Sequence, residues 1–336
     1  MKRIINIVFM IFCFTAMLNV SSKGENVMGS GRSFQLSPIH TVNGEVYIIK
    51  RVIDNPITSS TSVFNADVED MSLVDLIKIR DDSSEVYIGD SYMLFCEPRS
   101  ILSNFSYGPS KWYFCGYDSK THMLGKKQLI VKNPSDDGKD RYFSIGNKIF
   151  SVFEPQDTGK DKLLYLYENN KLSDPLAASH DSIVNYDTMI WLSCSDNELT
   201  FYDVYSNTIR TVEFFGREHC DIIWTGDYLI YTTPDDVKIY EMEKNEIKKI
   251  SDSEKFQYPH LYYDGSNYVY VFDSGHMKLF AYDINRNKFL NIRDIPKACT
   301  GMNFLVVGDS FLCYDEYSYQ LFKCGLYNDN FHVIYL

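Results

Sequence analysis

Three histidines recur at nearly equal spacing in the second half of the chain. His180, His219 and His260 are 39 and 41 residues apart, and Asp181 and Asp221 stand beside or near two of them. Imidazole and carboxylate groups that converge can bind a metal ion or an anionic ligand. The alternative is that loop histidines only cap turns. The regular spacing predicts that the three histidines occupy equivalent places in a repeated unit.

A second candidate group is aromatic and lies in a long polar segment. Residues 97–111 include Phe105 and Tyr107, and Trp112 follows directly. Rings beside polar neighbours suit sugar or peptide contacts, and long loops on a rigid scaffold often bind ligands. For Trp112 an equal alternative is a core residue at the start of a strand. These three aromatic residues complete the candidate ligand-binding set.

The sequence contains no signature of common catalytic chemistry. It has no G-x-S-x-G elbow, no G-x-x-x-x-G-K-[ST] loop and no H-E-x-x-H pair. We therefore assign no catalytic residue, and we expect no metal and no cofactor. A glycosidase-type carboxylate pair stays open, because sequence alone does not give the separation of two carboxylates.

Composition narrows the class of partner. The 336 residues carry a net charge of −12, which argues against a nucleic-acid binder because phosphate contacts need clustered Lys and Arg. A hydrophobic content of 45% and an aromatic content of 15% indicate a folded, strand-rich protein. We expect a monomer that binds a protein, a peptide or a glycan.

The N-terminus is typical of a secretory signal peptide. Lys2 and Arg3 precede a mainly apolar run over residues 4–20, and Ser22 offers a cleavage site. Cleavage at Ser22 would make the net charge −14 and leave residues 23–32 as a glycine-containing lead-in. The protein is then secreted or periplasmic. The alternative is an uncleaved segment that anchors the protein in a membrane.

The cysteines suggest a disulfide candidate. Seven remain after removal of the leader, so at least one is unpaired, and no C-x-x-C pair occurs. Cys313 and Cys324 flank a reversal at residues 315–318 and could bridge in a hairpin. Cys96 and Cys115 are a second, weaker pair around a longer loop.

Short apolar strands joined by hairpin dipeptides recur along the chain. Most turns place Gly, Asn or Asp where the backbone needs a positive φ. The strands that follow the turns begin 47, 55, 41, 40, 40 and 42 residues apart. Later units continue with Tyr-Asp or Tyr-Glu and then an Asn, as in Tyr202-Asp203 with Asn207. The seven dipeptides are Asn43-Gly44, Gly89-Asp90, Gly146-Asn147, Tyr186-Asp187, Gly226-Asp227, Asp264-Gly265 and Gly308-Asp309.

A period of about forty residues fits a four-stranded antiparallel unit. Such units cannot bury both faces alone and must stack, and radial stacking gives a β-propeller. The fold class is therefore all-β, with residues 33–336 as a single propeller domain of seven blades. A six-bladed alternative treats residues 33–79 as an arm. No strand exchange that closes the ring is evident, although residues 34–36 could supply one.

Residues 268–296 resemble a kelch-type propeller repeat, and residues 183–215 resemble a weaker copy. The resemblance covers most of the chain as a pattern, but the kelch glycine pair is missing. Phe272-Asp273 and Thr232-Thr233 stand near its place. The sequence therefore leaves two possibilities open, kelch repeats and another propeller family of exported proteins. The resemblance implies the fold and no particular chemistry.

These features predict an exported binding or interaction module. Counted from the inner strands, His180, His219 and His260 fall on one mouth of the propeller, with residues 97–111 on the same face. The alternative is an enzyme on the same scaffold, most plausibly one that acts on carbohydrate.

Overall fold

The computed structural model describes residues 39–336 except for short internal segments. The segments left out are residues 43, 56–57, 80–85, 90, 98–110, 119–120, 122, 131–137, 146, 182, 186–187, 195–197, 215–220, 245, 249–255, 264, 300–302, 316–317 and 329. All described residues belong to one compact unit, residues 34–336. The predicted leader and lead-in, residues 1–32, lie outside this part of the chain. No helix in the described part is long and apolar enough to cross a membrane.

The protein is a seven-bladed β-propeller, and the described residues form strands and turns without a helix. Blades 1 to 3 contain β1 (Ile39–Val42), β2 (Glu45–Asn55), β3 (Thr58–Ala66) and β4 (Leu73–Ile79); β5 (Val86–Ile88), β6 (Tyr92–Glu97), β7 (Lys111–Asp118), β8 (Met123–Leu124) and β9 (Gln128–Leu129); β10 (Gly138–Ile145), β11 (Lys148–Pro155), β12 (Lys162–Glu168), β13 (Lys171–Leu172) and β14 (Ala177–Ser179). Blades 4 and 5 contain β15 (Val184–Asn185), β16 (Met189–Cys194), β17 (Glu198–Asp203) and β18 (Thr208–Glu213); β19 (Ile222–Trp224), β20 (Tyr228–Thr233), β21 (Asp236–Glu241) and β22 (Glu246–Lys248). Blades 6 and 7 contain β23 (Pro259–Tyr263), β24 (Tyr268–Asp273), β25 (Lys278–Asp283) and β26 (Lys288–Asp294); β27 (Asn303–Val307), β28 (Ser310–Asp315), β29 (Gln320–Gly325) and β30 (Phe331–Tyr335).

Each blade is an antiparallel meander whose strands follow sequence order from the innermost to the outermost. In blades 2 and 3 two short strands share the outer place, β8 with β9 against β7 and β13 with β14 against β12. Pro175 stands between β13 and β14, where a residue without an N–H interrupts the ladder. The innermost strands of neighbouring blades contact one another, as β19 does with β23 and β27 with β1.

The prediction of seven blades is confirmed, and the six-bladed alternative is wrong. Residues 39–79 form a complete four-stranded sheet, β1 to β4, in spite of their weak repeat pattern. The hairpin dipeptides explain the register. Gly44 and Gly308 have φ of 83° and 53° in two-residue turns that pair Val42 with Glu45 and Val307 with Ser310.

The aromatic residues fill the interfaces between blades. Trp224 of blade 5 is fully buried and packs on Phe201 of blade 4, with ring centroids 5.2 Å apart. Apolar clusters of this kind join each blade to the next around the ring, including blade 7 to blade 1. Burial of large rings stabilises each interface and accounts for the aromatic content of the sequence.

The turns between third and fourth strands follow the predicted Asp and Asn pattern. Asn207 and Asn287 have φ of 56° and 52°, a left-handed conformation that Asn tolerates better than most residues. Asp203 and Asp283 begin these turns, and their Oδ1 atoms accept backbone N–H groups of Ser206 and Arg286. Each turn therefore combines an acidic residue that caps it with a left-handed residue that reverses the chain.

The described part of the ring closes without an exchanged strand. All strands of blade 1 come from residues 39–79 and all strands of blade 7 from residues 303–335. The two blades meet through an apolar cluster. Lys323 of blade 7 adds hydrogen bonds from Nζ to the carbonyl oxygens of Val68 and Glu69. The expected contribution of residues 34–36 lies outside the described residues.

Candidate functional site

His260 and Asp221 come together across the boundary between blades 5 and 6. His260 is in the innermost strand β23, and Asp221 directly precedes the innermost strand β19. His260 Nδ1 lies 3.3 Å from Asp221 Oδ2, and the same oxygen accepts the N–H of Leu261 at 3.0 Å. The carboxylate of one blade thus holds both the imidazole and the backbone of the next.

The second ring nitrogen of His260 is buried without a hydrogen-bond partner. The His260 side chain is 11% exposed, and its Nε2 atom is shielded from solvent. A buried polar atom that lacks a partner costs about 1 to 3 kcal/mol relative to one that is satisfied. A group that paired with Nε2 would recover this cost, which makes His260 the strongest candidate among the predicted histidines that the structure describes.

His180 occupies a different environment from His260. It follows the outer strand β14, and its side chain is 71% exposed. Its Nδ1 lies 3.4 Å from Asp161 Oδ1, which is also exposed. The neighbouring Asp181 is exposed, and its backbone N–H donates to Ser179 Oγ. Within the described residues, no hydrogen bond or ion pair joins His180 to His260.

The remaining predicted contacts divide into two groups. His219, Phe105 and Tyr107 lie outside the described residues. Trp112 is 5% exposed and packs between Tyr87 and Tyr142, with ring centroids 6.3 and 5.7 Å away. Trp112 is therefore a core residue near the start of a strand, which is the alternative to a ligand contact that the sequence offered.

Sequence reasoning missed three polar residues on innermost strands. His40 is in β1, and Asp140 and Arg141 are in β10. His40 Nε2 is buried without a partner, and desolvation lowers the pKa of His40 from 6.5 to about 4. The Arg141 guanidinium donates to the carbonyl of Ile183 at 2.5 Å, in the next blade. In the sequence, Asn43-Gly44 marks an inner hairpin, and His40 is a polar residue shortly before it. A polar residue in that position is the feature that could have identified His40.

The described residues contain no group of three His, Cys, Asp or Glu side chains arranged to hold a metal ion. His260 and Asp221 alone supply two ligand-type groups, and Asp221 Oδ2 already accepts a backbone N–H. The pair is therefore better suited to hydrogen bonding with a ligand than to cation binding.

The expected bridge between Cys313 and Cys324 is not formed in the structure. Both cysteines are buried, and neither is part of a disulfide. The register pairs Cys313 with Phe322 and Cys324 with Phe311, so the two cysteines are diagonal neighbours rather than directly opposite. Diagonal positions in a sheet are about 7 to 8 Å apart, beyond the span of a disulfide. Cys96 and Cys115, the other pair, are also buried and do not form a disulfide.

No known family model matches the sequence, and no curated protein sequence is similar to it. The kelch resemblance therefore has no support from a family model. Solved structures do share the fold. A prolyl endopeptidase structure aligns with a TM-score of 0.52 and 10% identity, over 88% of this chain and 49% of that one.

Two further solved structures align at similarly low identity. The apo form of AztD from Citrobacter koseri has a TM-score of 0.49 and 12% identity, over 89% of this chain and 86% of its own. The periplasmic gluconolactonase of Pseudomonas aeruginosa has a TM-score of 0.45 and 11% identity, over 86% and 99%. At these TM-scores and identities the two alignments assign no role to this chain, and the site must be argued from its own residues.

Proposed function

We propose that the protein is an exported β-propeller that binds a protein, peptide or glycan ligand at the mouth that contains His260 and Asp221. Export rests on the N-terminal leader, and the kelch-type classification rests on the repeat pattern alone. The observation that carries the proposal is the buried Nε2 of His260, which lacks a hydrogen-bond partner.

The chemistry of the pair suggests the kind of group that it binds. Asp221 Oδ2 faces Nδ1, and in a neutral ring with its proton on Nδ1 the Nε2 lone pair would accept a hydrogen bond from the ligand. Hydroxyl groups of a sugar and N–H groups of a peptide are suitable donors. Phosphate and carboxylate groups are poorer matches, because they only accept hydrogen bonds unless they are protonated.

A carbohydrate-active enzyme on the same scaffold is the second candidate. The specific observation in its favour is the carboxylate behind the imidazole, since a carboxylate at Nδ1 orients histidine for proton transfer at Nε2. A binding site uses the same orientation for a hydrogen bond. Product formation therefore separates the two functions.

The direct test is a screen of the purified protein on glycan and peptide arrays, followed by titration of the tightest ligand. We expect binding without chemical change of the ligand and without a stoichiometric metal in the protein. His260→Ala should weaken binding about tenfold or more, which corresponds to one lost buried hydrogen bond. His332→Ala is the matched control, because His332 is exposed on the outer strand β30.

Two results would overturn the binding-module proposal. Turnover of the ligand, lost in His260→Ala, would establish the enzyme instead. Equal affinity of His260→Ala and the unaltered protein would place the binding surface elsewhere.

A further inference from the structure

Three buried thiols lie together where blades 6 and 7 meet. Cys299 precedes blade 7, Cys313 is in β28 and Cys324 is in β29. All three belong to one apolar cluster and are at most 1% exposed. The hairpin pattern suggested a bridge within β28 and β29, but the contacts select a different pair.

Cys299 and Cys324 are within reach of one disulfide. Their Sγ atoms are 3.9 Å apart, so a small movement about the side-chain bonds brings them to the length of about 2.05 Å that an S–S bond requires. Cys313 is opposite Phe322, and its diagonal place keeps it about 7 Å from Cys324. Proximity therefore favours Cys299 as the partner of Cys324.

Hydrogen bonds hold the backbone on both sides of this pair. The N–H of Cys299 donates to the carbonyl of Pro296 at 2.9 Å. Arg293, in β26, donates from its guanidinium to the carbonyl oxygens of Gly325 and Asn328, just beyond Cys324. Because both segments are fixed, the two sulfur atoms stay close without a covalent bond.

We propose that Cys299 and Cys324 form a disulfide when the protein folds in an oxidising environment. A thiolate of one cysteine attacks a small-molecule or protein disulfide and releases one thiol. The second cysteine then displaces the other thiol and completes the Sγ–Sγ bond. The two cysteines lose two protons and two electrons, and the external disulfide is reduced to two thiols.

The bond would link the segment that enters blade 7 to the third strand of that blade. It closes a loop with a sequence separation of 25 residues. Cross-links of this kind stabilise mainly by restricting the unfolded chain. Blade 7 is also the blade that closes the ring against blade 1 without a shared strand among the described residues.

The test is a disulfide map of the full-length protein refolded from the reduced, denatured state in a glutathione redox buffer. Free thiols are alkylated under denaturing conditions before digestion with trypsin. Cleavage at Lys297 and Lys323 releases residues 298–323, which contain Cys299 and Cys313, and residues 324–336, which contain Cys324. We expect these two peptides to be linked, with Cys313 alkylated.

Variants decide which thiol is bridged. The linked peptide should persist in Cys313→Ser and disappear in Cys299→Ser. A reductant should lower the melting temperature of the unaltered protein and of Cys313→Ser by several degrees and leave Cys299→Ser unchanged. Complete alkylation of Cys299 and Cys324 in the refolded protein would overturn the proposal, and so would a bridge that includes Cys313. The map of the unaltered protein decides the question even where a variant fails to fold.

Discussion

Burial decides what each histidine of this propeller can do. His260 and His180 both stand beside an aspartate, with Nδ1 to carboxylate distances of 3.3 and 3.4 Å. The exposed His180 pair is solvated, so its contact contributes little. The His260 pair is largely buried, and its Nε2 is shielded from solvent. Similar residue types at similar distances therefore give a surface contact in one place and a candidate ligand contact in the other.

His40 predicts a pH dependence of stability. Burial lowers its pKa to about 4 in the folded protein, against 6.5 for an ordinary histidine. The unfolded chain then binds a proton more readily, so this residue lowers the free energy of unfolding as pH falls through 6.5 toward 4. The loss is about 2 kcal/mol between pH 7 and pH 5.

Urea unfolding at pH 7 and pH 5 measures this contribution. The decrease in stability of the unaltered protein should be larger than that of His40→Gln, which carries no titrating group at this position. Carboxylates and other histidines titrate in both proteins and cancel in the comparison. An equal decrease in the two proteins would show that His40 is protonated as easily when folded as when unfolded.

The sequence predicted part of this chemistry. The spacing of 39 to 41 residues, together with nearby aspartates, identified both His260 and Asp221, because a repeat places equivalent residues on one face. The spacing did not distinguish the exposed His180 from the buried His260. The burial of each side chain depends on whether it lies next to an outer strand or in an innermost strand. His40 was missed because blade 1 departs most from the repeat pattern.

At the scale of the element, one turn design recurs with different residues. An aspartate caps the turn, and the fourth residue after it takes a left-handed conformation, as Asn207, Asn287, Met277 and Tyr319 do. Asp273 begins the turn that ends at Met277, and its Oδ1 accepts the N–H of His276. This turn follows β24, where the kelch pattern would place its glycine pair. A capping carboxylate and a left-handed methionine thus reverse the chain without those glycines.

Hydrogen bonding also sets the charge state of one of these aspartates, Asp203. Burial acts to raise the pKa of Asp203, but hydrogen bonds from the Ser206 hydroxyl and from the N–H groups of Tyr205 and Ser206 outweigh it. The pKa of Asp203 therefore lies below its ordinary value. The cap keeps its charge in mildly acidic solution, and the turn persists where His40 begins to destabilise the fold.

Asn287 offers a test of the turn design. Its φ is 52°, and its Oδ1 accepts the hydroxyl of Tyr282 at 2.6 Å. Asn287→Ala loses this bond and places a less tolerant residue in the left-handed region, so we expect a loss of about 1 to 3 kcal/mol. Asn287→Gly loses only the bond and should fall between Asn287→Ala and the unaltered protein.

The measurement is the free energy of unfolding in urea. Asn291→Ala is the matched control, because Asn291 is exposed on β26, and it should change stability by less than about 0.5 kcal/mol. If Asn287→Gly were less stable than Asn287→Ala, backbone conformation would not be what selects asparagine there.

The hairpin dipeptides and the forty-residue period predicted the strand order and the blade count. They did not predict the divided outer strands, β8 with β9 and β13 with β14. These strands are two or three residues long. Such short segments have no periodicity of their own, and only the neighbouring strand defines them.

At the scale of the whole molecule, the described ring depends on side chains for its closure. Blades 1 and 7 share no strand in the part of the chain that the structure describes, and Lys50 and Lys323 cross between them. Lys50 Nζ donates to the carbonyl of Leu336 at 2.8 Å and lies over the ring of Tyr319. These contacts predict that the local stability of the boundary between blades 1 and 7 depends on the two lysines.

Lys323→Met tests the closure. It keeps an apolar side chain in place and removes the hydrogen bonds to Val68 and Glu69. Because a bond from a charged group contributes about 1.5 to 3 kcal/mol, amide hydrogen exchange in β1 and β27 should accelerate about tenfold or more. Lys288→Met, an exposed change on β26, should leave these rates unaltered. Uniform acceleration over all blades would indicate global destabilisation instead of a local opening.

The binding proposal depends on contact between His260 Nε2 and the ligand at a propeller mouth. The most direct measurement is the ¹⁵N resonance of this atom in histidine-labelled protein, assigned by comparison with His260→Ala, during titration with the ligand found on the arrays. We expect this resonance to shift in proportion to the bound fraction while that of the exposed His332 stays constant. Saturation of the protein with ligand while the His260 Nε2 resonance does not move would contradict it.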